Sequence, residues 1–255
     1  MSLIISSLPN IPLIKTGDDL VEIIKNGLSQ GKISLQDGDI LVLAQKIVSK
    51  AEGRTVNLVS IKPSQEAIEL ADKIDKDPRL IEVVLRESNQ VLRTRSGTII
   101  VEHRLGFVCA NAGIDHSNVA GVGDSTGEWV LLLPENPDAS AHVIRTKLEA
   151  LYGVHIGVMI IDSHGRAWRQ GVVGVAIGIS GMPGLVDLRG KSDLFGYSLR
   201  ITTIGVADEL AAAASLLMGQ ADEATPIVHV RGFPYALKDG NLQELLRPKD
   251  QDLFR

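Results

Sequence analysis

The chain has 255 residues, 44% hydrophobic and 22% charged, with a formal net charge of −5. That composition is globular, with enough apolar material for one large domain or two small ones, and it carries no basic footprint for a long nucleic acid. The single cysteine, Cys109, excludes an intramolecular disulfide and a thiolate-only metal cage. A lone thiol fits a reducing compartment, and the opening Met-Ser-Leu-Ile-Ile lacks the basic start and long apolar stretch of a signal peptide. No apolar run approaches the ~18–20 residues that span a bilayer. The expectation is a cytoplasmic protein.

In chain order, residues 3–7 read as a strand, followed by the turn Leu8-Pro9-Asn10-Ile11-Pro12. A helix comes next. Thr16 and Asp19 have capping-box spacing, and Leu20, Ile23, Ile24 and Leu28 form its apolar stripe. Gly38-Asp39 announces a buried strand at residues 40–44, with a short helix after it carrying Gln45, Lys46 and Lys50. Two helices are predicted over residues 64–88, the second opened by Pro78. The middle reads as β: residues 90–95, 98–104 and 107–110, with a further strand at 129–133. A helix at 140–152 stops at Gly153. The apolar run 154–161 is a buried strand expected to end abruptly in Asp162-Ser163-His164-Gly165. A glycine-spaced strand at 171–181, a helix at 210–218 and a last strand at 227–230 complete the chain. Strands and helices mix without strict βαβ alternation, which favours an α+β fold of mixed sheets with packed helices. One domain over residues 1–245 is expected, with a possible inner subdomain near 90–165 and a tail at 246–255.

The familiar nucleotide signatures fail. Residues 27–34 resemble a phosphate loop, but the spacing is one residue short and Ile33 follows Lys32 in place of Ser or Thr. Gly121-Val122-Gly123 lacks the third glycine of a dinucleotide fingerprint, and no nucleophile elbow, zincin helix or paired-cysteine motif is present. A nucleotide site here must be built another way.

Four short segments hold the chemistry. Asp162-Ser163 lies at the exit of a buried strand, where metals and phosphates commonly bind; Asp-Ser-His-Gly is also ordinary turn chemistry. Behind it, Arg166 and Arg169 flank Trp168, a grouping that suits an anionic substrate or a surface stack equally well. Asn111-Ala112-Gly113-Ile114-Asp115-His116-Ser117-Asn118 is dense in oxygen donors. Asp115 could ligate a hard cation and Asn118 could touch a nucleotide, although such a loop is more often a turn. Gly219-Gln220-Ala221-Asp222-Glu223-Ala224-Thr225-Pro226 offers carboxylates, an amide and a hydroxyl in one connection, suited to metal and phosphate or to an exposed helix stop. Lys46 and Lys50, four apart on one helical face, could reach phosphates. His116 and His164 read as polar surface.

Taken in order, these pieces resemble the coenzyme F420:L-glutamate ligase family, also called F420-0:gamma-glutamyl ligases. The matching segments are Leu8-Pro9-Asn10-Ile11, Gly38-Asp39 with Ser49-Lys50-Ala51-Glu52-Gly53, and residues 110–118. They continue with Asp162-Ser163 through Gly165-Arg166-Ala167-Trp168-Arg169-Gln170-Gly171 and Ala176-Ile177-Gly178. Asp208-Glu209-Leu210-Ala211, Met218-Gly219-Gln220, Pro226-Ile227-Val228 and Arg231-Gly232 complete them. The resemblance covers about residues 3–240.

It implies a GTP-dependent ligase joining L-glutamate to F420-0 through a γ-glutamyl amide, with two divalent cations, Mg²⁺ or Mn²⁺, and often K⁺. It implies a homodimer, each chain with a fold of two intertwined subdomains. Some relatives carry a C-terminal flavin-reductase-like domain, which is expected to be absent here because the sequence ends at Arg255. By position, Leu8, Pro9, Asn10, Ile11, Gln45, Lys46, Lys50 and Asn118 become nucleotide contacts, with Gly219, Gln220, Ala221, Glu223 and Thr225. Asp115, Asp162 and Ser163 fall where the family binds metal, assisted by Glu223 or Gln220. Asp162, Asp115 and Lys50 are the expected catalytic groups, with Arg166 and Arg169 as candidates for substrate carboxylates. A related amide ligase with another acceptor, or a non-catalytic nucleotide-binding relative, remains compatible with the residues.

Overall fold

The computed structural model describes residues 2–119 and 128–253; Gly121-Val122-Gly123 lies outside them. The described chain begins with β1 (Ile4–Ser7), α1 (Leu20–Gln30), β2 (Ile40–Ala44) and α2 (Gln45–Ala51). Next come β3 (Thr55–Asn57), α3 (Gln65–Ile74), α4 (Pro78–Arg86), β4 (Ser88–Arg95), β5 (Thr98–His103) and β6 (Val108–Ala110). After β7 (Trp129–Leu131) and α5 (Pro137–Tyr152), the long strands β8 (Gly157–Arg166) and β9 (Arg169–Ser180) form a hairpin. The short β10 (Val186–Asp187) and β11 (Thr203–Ile204), then α6 (Val206–Met218) and β12 (Ile227–Arg231), close the order.

The main sheet runs β1-β12-β2-β8-β9. Its pairings are antiparallel except for β2 with β8. Smaller sheets are β4-β5-β6, β3-β7 and β10-β11. This is the α+β architecture that the mixed element order predicts.

Alternation explains why β2 reads as an unbroken apolar run. Ile40 and Val42 face one cluster with Met159, Val228 and the α6 residues Ala207, Leu210, Ala211 and Ala214. Leu41 and Leu43 face the other, which holds Ile24 and Leu28 of α1 and Ala141, Ile144 and Leu148 of α5. Both faces are covered, so every position must be apolar. Each fully buried Leu or Ile contributes about 1.5–3 kcal/mol.

Two glycines of β9 set how closely helices approach. A Cβ at Gly174 would lie 2.5 Å from the Ala211 carbonyl oxygen of α6, and one at Gly178 would run into Pro137 of α5. The two sit on opposite faces because a bulge between the Ile160 and Ile161 pairings flips the alternation.

Several boundaries depart from the sequence pattern. Asp19, not Thr16, caps α1, its carboxylate accepting from Val21 N at 2.9 Å. The strand expected to end at Ile161 runs on to Arg166, because β9 continues to pair with it after β2 has stopped. The Asp162-Ser163-His164-Gly165 stretch is therefore strand, and the turn falls at Ala167 and Trp168, the latter with φ of 63°. The helix expected at 140 starts at Pro137 on an Asn136 cap, and β3 had no signal in the pattern. The phosphate-loop look-alike is the end of α1, where Gly27 packs under Leu8 and Ile11.

Candidate active site

The site follows from where strands stop. Ala44 pairs with Ile161 at the last rung shared by β2 and β8. Beyond it, β2 turns straight into α2 with Gln45, while β8 continues as Asp162 and Ser163 in a two-stranded ribbon with β9. The antiparallel neighbours bring two loops to the same end. Ala44 N donates to Pro226 O at 2.9 Å, fixing the segment before β12, and Leu8 N donates to Ile227 O at 2.9 Å, fixing the segment after β1. Carboxyl ends of parallel strands are where open sheets collect ligands.

A cavity of about 420 Å³ opens there. Its wall carries Ile11, Gln45, Lys46, Lys50, Asn118, Asp162, Ser163, Gly219, Gln220, Ala221, Glu223 and Thr225. Five chain segments far apart in sequence thus supply one space. Other expected contacts do not reach it. Leu8 is fully buried beneath it, and Asn10, at φ 54°, turns its side chain to Gln30 Oε1 at 2.6 Å. Pro9 is not part of the wall. Arg166 and Arg169 stand farther out, beside the hairpin turn.

Asp115 stands behind Lys46. Its Oδ2 is 2.8 Å from Lys46 Nζ, and its Oδ1 accepts from both N and Oγ of Ser117 at 2.7 Å. Burial alone would raise this carboxyl, but the ammonium and the Ser117 bonds outweigh it and hold the group below its ordinary range. Lys50 Nζ donates to Asn118 O at 2.7 Å, and Asn118 Nδ2 donates to Ala221 O at 3.2 Å. One short loop therefore bridges α2 and the segment before β12. Burial, then the neighbouring Lys46 charge, lowers the Lys50 ammonium.

Elsewhere on the wall, Ser163 Oγ donates to Gln220 Oε1 at 3.0 Å. Asp162 Oδ2 lies 3.0 Å from His164 Nε2, two residues on and on the same strand face. Phe107 lies tilted against His164 and stacks on His103. Glu223 folds back on its own loop, accepting from Ala221 N at 2.9 Å. Gln45 is buried, its Oε1 accepting from Ser49 Oγ at 2.8 Å, while its Nε2 has no hydrogen-bond partner among the described residues. Among those residues no three His, Cys, Asp or Glu side chains gather as a metal cluster.

Some participants had little or no sequence signal. His164 reads as surface until the strand is seen to continue, which puts it beside Asp162. Ser117 carries the Asp-x-Ser spacing of an Asx turn, the one hint available. Met218 and Ser215 reach the cavity only because α6 ends there.

The chain matches the family described as F420-0:Gamma-glutamyl ligase over residues 9–232. It belongs to that family. The coenzyme F420:L-glutamate ligase of Methanothermobacter thermautotrophicus is 46% identical over 257 residues, 100% of each chain. The enzyme of the same name from Methanopyrus kandleri is 46% identical over 95% of this chain and 93% of its own. That from Methanocaldococcus jannaschii is 42% identical over 96% and 94%. The match spans Asp115, Asp162, Ser163 and the 219–226 segment, so the cavity wall of this gamma-glutamyl ligase is built almost wholly from the family's own region. No helix among the described residues is long and apolar enough to cross a membrane.

Proposed function

We propose that the protein joins L-glutamate to F420-0 through a γ-glutamyl amide, using GTP and passing through an acyl phosphate. The observation that carries this reading is one cavity lined by Lys46, Lys50, Asp162 and Ser163, with Asp115 held against Lys46, in a member of a gamma-glutamyl ligase family.

A free carboxylate is a poor acyl donor, so its oxygen first attacks the γ-phosphorus of GTP. The bridging P–O bond to GDP breaks and an acyl phosphate forms. The amine of glutamate then attacks the acyl carbon, the C–N bond forms, phosphate leaves with the C–O electron pair, and the amine sheds a proton. The transferred phosphoryl group concentrates negative charge, so positioned cations matter more than covalent help from the protein. Lys46 and Lys50 supply such charge on the α2 side. Gln45 Nε2, without a hydrogen-bond partner among the described residues, is a buried donor suited to a ligand oxygen. A cavity of this size is in the range that holds a small-molecule ligand.

Divalent ions suit the donors present. Asp115, Ser117, Asp162, Ser163 and Gln220 offer the hard oxygens that Mg²⁺ and Mn²⁺ prefer, and at Asp115 a cation, the Lys46 ammonium, already sits among them. We assign Asp115, Asp162 and Ser163, with Glu223, as the residues that hold two such ions, with K⁺ as a further activator. Bound there, the metals would supply Lewis-acid charge to the phosphates.

We further propose a cytoplasmic homodimer. Leu194, Phe195 and Ile201, each at least 88% exposed in the segment between β10 and β11, are apolar surface suited to a second copy. Sedimentation at low protein concentration tests this, a monomer being the contrary result.

Oxygen tracing tests the chemistry. With ¹⁸O in the acceptor carboxylate, an acyl phosphate delivers one label to the released phosphate. Unlabelled phosphate alongside amide product would remove that intermediate.

A further inference from the structure

Asp115 is held independently of any cation. Its backbone is bridged both ways to Leu131, with Asp115 N to Leu131 O at 3.0 Å and Leu131 N to Asp115 O at 2.9 Å. Ser117 then fixes Oδ1 with two bonds. Oδ2 is left for a further partner, which among the described residues is Lys46 Nζ, itself also bonded to Ser117 Oγ at 2.6 Å. The ammonium thus sits among hard oxygens, two from side chains and a third, Ser117 O, at 3.5 Å. Lys46 also lines the cavity that we assign to nucleotide phosphates.

Lys46 therefore has a carboxylate on one side and the cavity on the other. We infer that Lys46 and a divalent cation compete for Asp115, so that nucleotide phosphates, by drawing Lys46 away, open Asp115 to the metal. Metal and nucleotide then bind as a linked pair, each raising the affinity of the other by the same factor. Lys50, one turn along α2, does not share this role: its ammonium bonds Asn118 O, so it contributes positive charge without occupying Asp115. The inference rests on the metal assignment made for this site.

The test is Mn²⁺ binding without nucleotide, read from the electron paramagnetic resonance of free Mn²⁺, in folded wild-type protein and variants. Lys46→Met is expected to tighten Mn²⁺ binding about tenfold, the scale of a half-buried charge-assisted contact. Lys50→Met removes the same charge and is expected to change it by less than about threefold. Equal tightening by both variants would reduce the effect to a general field and overturn the competition, as would no change in Lys46→Met. The double variant Lys46→Met with Asp115→Asn separates the two claims. Loss of the tightened site supports both, whereas an undiminished site would show that Asp115 binds no metal and would overturn the assignment itself.

Discussion

Ala44 and Ile161 are partners in parallel register at the end of the stretch where β2 and β8 run side by side. The next residue of one strand is Gln45 at the head of α2, and of the other Asp162 on the projecting ribbon. That rung fixes both walls of the cavity. The placing of Lys46 and Lys50 on α2 and of Asp162 and Ser163 on the ribbon is a consequence of strand order, not of loop flexibility.

Asp162 is the most demanding residue of the oxygen-donor wall. Asp162→Asn keeps size and can still pair with His164, so the fold should survive with its thermal midpoint shifted only slightly. GTP hydrolysis coupled to ligation is expected to fall by at least about 100-fold, the usual cost of losing a charge that stabilises a transition state. Near-normal turnover with metal bound would place the chemistry elsewhere.

The packing account makes an independent claim about β9. At Gly178→Ala the new methyl meets Pro137 backbone and ring, so α5 must shift; the expected cost is about 1–3 kcal/mol in urea unfolding. Gly165→Ala, on the projecting ribbon, meets nothing within 4 Å and should change stability by less than about 0.5 kcal/mol. Equal effects at the two positions would contradict the close helix approach.

How much of this was legible in the sequence depended on the kind of signal. The unbroken run of residues 40–44 marks a strand covered on both faces, and the Pro78 and Gly153 punctuation marks helix ends; these are local signals and they survive folding. The end of the strand at Ile161 was misread because polarity begins at Asp162. Only the partner strand decides whether a polar stretch leaves the sheet or continues as a ribbon, and pairing is not a local property. The same limit hid His164, which meets Asp162 only if the strand continues. Asp115 and Lys46, 69 positions apart, meet through the β3 to β7 pairing that no pattern announced.

His103 supplies a pH test of the interior beneath Asp162. It is fully buried, and burial pushes its imidazole down from 6.5 to about 4. The folded protein holds it neutral where the unfolded chain would protonate it. Its neutral form therefore favours folding fully above about pH 6.5, and stability declines as pH falls from there to about 4. The decline attributable to this group is up to about 3 kcal/mol. His103→Gln should flatten that part of the stability profile. An unchanged slope in the variant would assign the acid sensitivity to other groups.

The central claim is the reaction, and product mass tests it most directly. F420-0, L-glutamate, GTP and Mn²⁺ are incubated with the purified protein, and the acceptor is followed by mass spectrometry. The account predicts mass increments of whole glutamyl residues, with GDP and phosphate released in step with each one. GTP binding or hydrolysis with the acceptor mass unchanged would contradict it.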